Sequence, residues 1–200
     1  MAPTGLAFDA NGNLFEADDP AGSLNRSVFE FSPSGAKSTF ASGLSAPFDL
    51  AFDSHGNLFV SSDTSSGGAI YEYAPNGSRT TFVGSGLKEP YGIAFDSSGN
   101  LFQSDFNTGN IFEYAPSGAR TTFASGLSQP GGLAFDPNGD LFASDFGAAT
   151  IYEFTPGGTR SVFASGVVEP TKLAFEPVPE PSSVILAVVG VSGLLFWRRR

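Results

Sequence analysis

Pro90-Tyr-Gly-Ile-Ala-Phe-Asp-Ser-Ser-Gly-Asn-Leu-Phe102 decides the fold, because the chain repeats it. Its opening returns as Pro3-Thr-Gly-Leu-Ala-Phe-Asp9, Pro47-Phe-Asp-Leu-Ala-Phe-Asp53 and Pro130-Gly-Gly-Leu-Ala-Phe-Asp136, then as Pro170-Thr-Lys-Leu-Ala-Phe-Glu176. The prolines are 44, 43, 40 and 40 residues apart. A period near 40 made of short strands and turns predicts the blades of an all-β propeller.

Working outward from residue 90, each repeat gives four strands. Tyr91–Phe95 turns at Asp96-Ser-Ser-Gly99 and returns as Asn100–Ser104. A loop beginning at Asp105 leads to Ile111–Tyr114, and Ser117-Gly118 turns into Thr121–Ser125. Gly12, Gly56, Gly99 and Gly139 stand where the first hairpin needs a positive φ. The first strand is apolar on consecutive residues, which predicts burial on both faces nearest the axis. The fourth follows Lys37, Arg79, Arg120 or Arg160, charges that discourage pairing at an outer edge. Phenylalanine recurs at 8, 52, 95, 135 and 175, at 15, 59, 102 and 142, and at 40, 82, 123 and 163. Rings that regular belong to the packing between stacked sheets. The pattern Pro-x-Gly-Ile/Leu-Ala-Phe-Asp-x-x-Gly-Asn-Leu-Phe resembles NHL-type and gluconolactonase/senescence-marker-type propellers, and more distantly virginiamycin B lyase. The resemblance spans residues 3–176 and fixes fold more than function, since one propeller hosts many activities.

The far end has a different grammar. Val178-Pro179-Glu180-Pro181 precedes an uncharged run from Ser183 to Trp197, and Arg198-Arg199-Arg200 follows. As a helix the run would span roughly 22 Å at about 1.5 Å per residue, short against a hydrocarbon core of ~30 Å. Phe196 and Trp197 suit the interface, and the arginines would stay cytoplasmic. The arrangement resembles the PEP-CTERM sorting signal of Gram-negative bacteria. That resemblance implies export, a transient inner-membrane tether through a short transmembrane helix, and cleavage near the motif by an exosortase.

Composition limits the partners. Before Val178 there are 7 Lys and Arg against 19 Asp and Glu, which leaves no basic surface for nucleic acid. There are no cysteines, hence no disulfides and no thiolate metal sites.

Candidate chemistry gathers where the second and third strands connect, because loop length varies there. Asp18, Asp63, Asp105 and Asp145 begin these loops. They form either an acidic ring for a cation or polyhydroxyl ligand, or self-contained turns accepting their own N–H groups. Asp9, Asp53, Asp96 and Asp136 open the opposite hairpins, and Asp9-Ala-Asn-Gly-Asn13 lacks the bidentate glutamate of a calcium loop. Gluconolactonase-like relatives are expected to carry acidic or amide metal ligands just after the repeat proline. The matching residues here are Thr4, Phe48, Tyr91, Gly131 and Thr171, so no metal, cofactor or catalytic residue is assigned. The single histidine, His55, falls in the Asp53-Ser-His-Gly turn. Phe48 and Tyr91, with Phe106 and Phe146 beside the loop aspartates, form either an apolar rim able to stack on sugars or packing between blades.

The expected organisation is therefore propeller repeats over 1–176, a Pro-rich linker with the sorting motif over 177–182, and a membrane helix with basic tail over 183–200. Four four-stranded blades are complete and the strand Leu173–Phe175 is an orphan. The resembled families imply a six-bladed ring, with further repeats and an export signal expected ahead of Met1. The expected function is an exported surface or matrix module binding extracellular polysaccharide or surface proteins, with ligands at Phe48, Asp63, Tyr91, Asp105, Phe106, Asp145 and Phe146. The alternative is a metal-dependent lactonase or lyase.

Overall fold

A computed structural model describes residues 3–19, 26–64, 67–176, 185–190 and 193–198. The first sheet runs β1 (Pro3–Phe8), β2 (Leu14–Asp18), β3 (Arg26–Phe31) and β4 (Lys37–Leu44). The second is β5 (Ala46–Phe52), β6 (Leu58–Thr64), β7 (Gly67–Tyr73) and β8 (Arg79–Leu87). The third comprises β9 (Pro90–Phe95), β10 (Leu101–Asp105), β11 (Asn110–Tyr114) and β12 (Arg120–Ala124). The fourth comprises β13 (Pro130–Phe135), β14 (Leu141–Asp145), β15 (Thr150–Phe154) and β16 (Arg160–Ser165). All four are four-stranded meanders in chain order, and the paired strands are antiparallel. The chain divides into two compact units, Met1–Phe95 and Asp96–Arg200, and each is described by itself.

The hairpin turns are closed by their own aspartates. Asp9 accepts N–H bonds from Asn11 at 2.9 Å and Asn13 at 2.8 Å, while the Asn13 amide donates to its second oxygen at 2.9 Å. Asp53, Asp96 and Asp136 repeat the arrangement. Burial works against ionisation of Asp9, yet the bonds from Asn13 and Asn11 outweigh it and hold its carboxyl below the usual range. The turn reading of these four residues is thus correct. Gly12 has φ 81° and Gly99 has φ 82°, a left-handed conformation that a side chain would strain.

Rings couple successive sheets. In the first unit Phe15 of β2 meets Phe40 of its own sheet at 5.1 Å and Phe52 of the next innermost strand at 5.0 Å, both edge-on. Phe59 does the same with Phe82 at 5.2 Å and Phe95 at 4.9 Å. In the second unit Phe102 meets Phe123 and Phe135, each at 5.0 Å. Phe142 meets Phe163 at 5.0 Å and Phe175 at 5.1 Å. The edge of one ring carries partial positive charge and the face of the next partial negative charge, so this geometry adds to apolar burial. Phe8, at the corresponding position of β1, is 68% exposed, and Leu6 of the same strand 60%.

The outer cations act locally. Lys37 lies 3.5 Å over the Phe29 ring, and Arg79, Arg120 and Arg160 lie 4.8–5.0 Å over Tyr71, Phe112 and Tyr152. Each covers an aromatic of its own third strand, an attraction of about 0.5–1 kcal/mol at exposed sites.

The tail departs from expectation. In place of a helix near 183–197, β18 (Ile185–Gly190) and β19 (Gly193–Arg198) form an antiparallel pair. β18 pairs in turn with β17 (Pro170–Glu176), so the strand expected to be an orphan is the edge of a three-stranded sheet. The local sequence permits strands, since Ile185, Val188 and Val189 favour a pleated backbone and Gly190 faces Gly193 at the end of the pair. An innermost strand with open N–H and C=O groups also supplies the ladder. Among the described residues no helix is long and apolar enough to cross a membrane. The motif Val178-Pro179-Glu180-Pro181, with Arg199 and Arg200, lies outside the described residues.

Two predictions follow from this packing. Phe142→Ala, at a ring 2% exposed, should cost about 3–5 kcal/mol, whereas Phe8→Ala should stay within about 0.5 kcal/mol. Urea denaturation of both variants measures the contrast. Burial raises the pKa of Tyr73, Tyr91 and Tyr114, with Asp49 and Glu89 adding to it at Tyr91 and nearby arginines offsetting part of it at Tyr73 and Tyr114. The native state therefore keeps these phenolic protons longer than the unfolded chain. Stability from this source should be fully present below about pH 10 and decline as pH rises through the higher native values. Denaturation between pH 8 and 11, with tyrosinate absorbance as a second readout, checks the direction.

Candidate functional site

The innermost strands begin with a shift of register. Pro3 faces Asp18 and Gly5 faces Ala17, which leaves Thr4 unpaired between them. Pro47 faces Ser62 and Asp49 faces Ser61, leaving Phe48 unpaired in the same way. A bulge bends the strand and re-aims the extra side chain, a device frequent beside binding sites. Thr4 uses its position to donate to the Pro47 carbonyl at 2.6 Å, linking the first two innermost strands.

Phe48 instead stacks on Tyr91, with ring centroids 5.0 Å apart and planes 25° from parallel. Both rings are half-buried. Behind them sits Asp49, 8% exposed, which the sequence reading passed over. Its carboxylate accepts the Ile93 N–H at 3.1 Å, and its own N–H donates to Ser61 Oγ at 3.1 Å. Ser61 then donates to the Tyr91 carbonyl at 2.6 Å. These bonds set the spacing of β5 and β9 and hence of the two rings. A signal was present in the repeat, because Asp49 occupies the position held by Gly5 and Gly92. A β-carbon on Gly5 would lie 2.8 Å from the Asp49 Cα, so the first strand has no room for a side chain there.

The loop aspartates are not one set. By register, Ser62 takes the place of Asp18, each facing the repeat proline, and Asp63 comes one residue later. With a period of two, that displacement turns its side chain to the other face of the strand. Asp63 is half-buried and Ser62 fully buried. Asp18 is 5% exposed, and its Oδ1 has no hydrogen-bond partner among the described residues.

In the second unit Asp145 is 1% exposed and saturated by backbone. It accepts N–H bonds from Ser128 at 2.8 Å, Gln129 at 2.9 Å and Ala148 at 3.2 Å. Asp105 is fully buried and accepts from Thr108 at 3.1 Å. Both carboxylates therefore hold loops. Phe106 and Phe146 pair at 6.2 Å with planes tilted 51°, and both are half-buried. Thus Phe48 meets Tyr91, and Phe106 meets Phe146. His55 is in the opposite hairpin, its side chain 83% exposed and Nδ1 3.6 Å from Asp53. No three His, Cys, Asp or Glu side chains among the described residues are grouped as a metal site would require.

Comparison with known proteins bears on both halves of the chain. The PEP-CTERM protein-sorting motif matches residues 177–200. Among curated proteins none matches the chain. Solved structures do. A gluconolactonase from Xanthomonas campestris superimposes with a TM-score of 0.80 at 19% identity, covering 96% of this chain and 70% of that one. A chain of the nidogen/laminin complex gives 0.78 at 24% identity, with 95% and 76% covered. Virginiamycin B lyase from Staphylococcus aureus, solved in inactive form with quinupristin, gives 0.73 at 18% identity, with 94% and 63% covered. At these identities the likeness establishes the fold. The chain carries a PEP-CTERM sorting motif behind β-sheet repeats whose structural neighbours are propellers of the NHL/gluconolactonase-like kind.

Proposed function

We propose that this protein is a binding module of the bacterial cell surface or extracellular matrix, delivered there by its sorting motif. The motif indicates export, a membrane-anchored sorting signal and processing by an exosortase. In this reading the segment 183–200 tethers the chain briefly to the inner membrane, with Arg198, Arg199 and Arg200 on the cytoplasmic side. Exosortase then cuts near Pro179-Glu180-Pro181.

The observation that carries the binding role is the Phe48–Tyr91 stack at the bulged start of the innermost strands. Half-buried rings held by a buried Asp49–Ser61 relay make a rigid apolar platform that loses little entropy when a ligand arrives. Asp49 and the half-buried Glu89 add negative charge beside Tyr91. In the second unit Phe106 and Phe146 offer a like pair, with Asp105 and Asp145 bracing the loops that carry them. Aromatic faces with nearby acceptors suit the C–H faces and hydroxyls of a surface polysaccharide, or an apolar patch on a surface protein.

A metal-dependent lactonase or lyase is the second reading, supported by likeness in fold to the Xanthomonas campestris gluconolactonase. Hydrolysis of gluconolactone by the purified chain, dependent on added divalent metal, would favour it over the binding module.

Two outcomes are expected. In a host with active exosortase, mass spectrometry of the mature protein should find it ending near residues 179–181; an intact C-terminus would refute processing. On a glycan array or in a surface-protein pulldown, Tyr91→Ala and Phe106→Ala should each weaken retention, by about 0.5–1.5 kcal/mol beyond the area lost. Retention unchanged in Tyr91→Ala would exclude the Phe48–Tyr91 platform, and retention unchanged in Phe106→Ala the Phe106–Phe146 pair.

A further inference from the structure

A second cleft lies at the other end of the same strands. It occupies about 560 Å³ within the first unit, between the first two sheets, on the side of the Asp9 and Asp53 hairpins. Sites for small ligands occupy roughly 300–1,000 Å³. Its apolar wall is the Phe15, Phe40 and Phe52 cluster, in which Phe15 is buried and the other two are half-buried.

Its polar lining comes from Asn11, Glu30, Thr39, His55 and Asn76. Glu30 is half-buried on β3, facing Ser38 of β4, and its carboxylate makes no hydrogen bond or ion pair among the described residues. The corresponding Glu72 of the second sheet is engaged by Thr80 at 3.5 Å. Asn11, Thr39, His55 and Asn76 are exposed. Both oxygens of Asp9 are held by Asn11 and Asn13, and its charge stays at the edge of the cleft.

The matching junction in the second unit leaves a smaller and shallower hollow. A β-carbon on Gly158, in the β15–β16 turn, would lie 3.7 Å from the Phe123 carbonyl oxygen, whereas one on Gly77, in the matching β7–β8 turn, meets nothing within 4 Å. The hollow beside Gly158 measures about 240 Å³ and has no carboxylate in its lining.

We propose that the cleft between the first two sheets binds a neutral saccharide of about disaccharide size. Sugar hydroxyls both donate and accept. Glu30 supplies an unengaged acceptor, the amides of Asn11 and Asn76 and the imidazole of His55 supply donors, and Thr39 supplies either. The ring wall receives the C–H face of a pyranose. An anionic sugar is disfavoured because the cleft holds two carboxylates, Asp9 and Glu30, and neither Lys nor Arg. A cationic peptide is the competing occupant, drawn by the same two carboxylates; the neutral donors of Asn11 and Asn76 and the width of the ring wall favour the sugar. This site is separate from the Phe48–Tyr91 platform, and either can fail without the other.

Calorimetry on the whole chain tests it with cellobiose, maltose and lactose as neutral probes, a glucuronate-containing disaccharide as anionic probe and tetra-arginine as cationic probe. At least one neutral disaccharide should bind, and Glu30→Ala and Thr39→Trp should each weaken it tenfold or more while Tyr91→Ala leaves it unchanged. Circular dichroism confirms folding of the variants, and His55→Ala, altering only an exposed rim group, should lower affinity several-fold if Thr39→Trp does not fold. No binding of any neutral disaccharide overturns the proposal. So does binding that survives both Glu30→Ala and His55→Ala, or a preference for the glucuronate disaccharide or tetra-arginine.

Discussion

Everything in this fold depends on one contact, the edge-on meeting of a second-strand phenylalanine with the phenylalanine of the following innermost strand. A four-stranded meander is a thin object. It satisfies its backbone internally but cannot bury both faces, and so it needs a neighbour. Phe15, Phe59, Phe102 and Phe142 provide that neighbour's anchorage, each touching a ring in its own fourth strand as well. Apolar burial alone would let adjacent sheets slide. Ring edges set against ring faces restrict both distance and tilt, which explains why the four triads agree within a few tenths of an ångström.

The candidate sites are consequences of how firmly that frame is held. With sheet spacing fixed by the rings, the ends of the strands are free to differ. At one end a bulge and the Asp49–Ser61 relay hold Phe48 against Tyr91. At the other, a cleft opens between the first two sheets, and Glu30 in it has no partner among the described residues. The cleft uses the first triad, Phe15, Phe40 and Phe52, as its wall, while the polar groups around it lie on strand ends and hairpins and tolerate changes that the triads do not. Function on a propeller is accordingly concentrated where its packing is indifferent to sequence.

The strands and hairpins were legible in the sequence because the signals that make them are local. Proline opens the strand, aspartate and glycine close the turn, and phenylalanine marks the contact. Position-by-position features were harder. Asp63 looked equivalent to Asp105 by residue type, yet one extra residue before it moved Ser62 into that place, and only the pairing partner reveals this. Asp49 replaced a glycine and was hidden by the regularity around it. The apolar tail was read as a helix because charge-free runs of this length carry no periodicity that separates helix from strand. What decided it in the structure was an available partner, the edge of β17, which no local window can see.

The hairpins have a consequence for how such a chain grows. Asp9, Asp53, Asp96 and Asp136 each meet their hydrogen-bonding needs within five residues, and each outer cation covers a ring in its own sheet. A duplicated repeat therefore arrives with its hairpins already closed and asks its new neighbours for an aromatic socket on either side and a few bonds between innermost strands, as from Thr4 to Pro47. Gene duplication can lengthen or shorten the array by single units without inventing a contact, and each copy is then free to diverge at its strand ends.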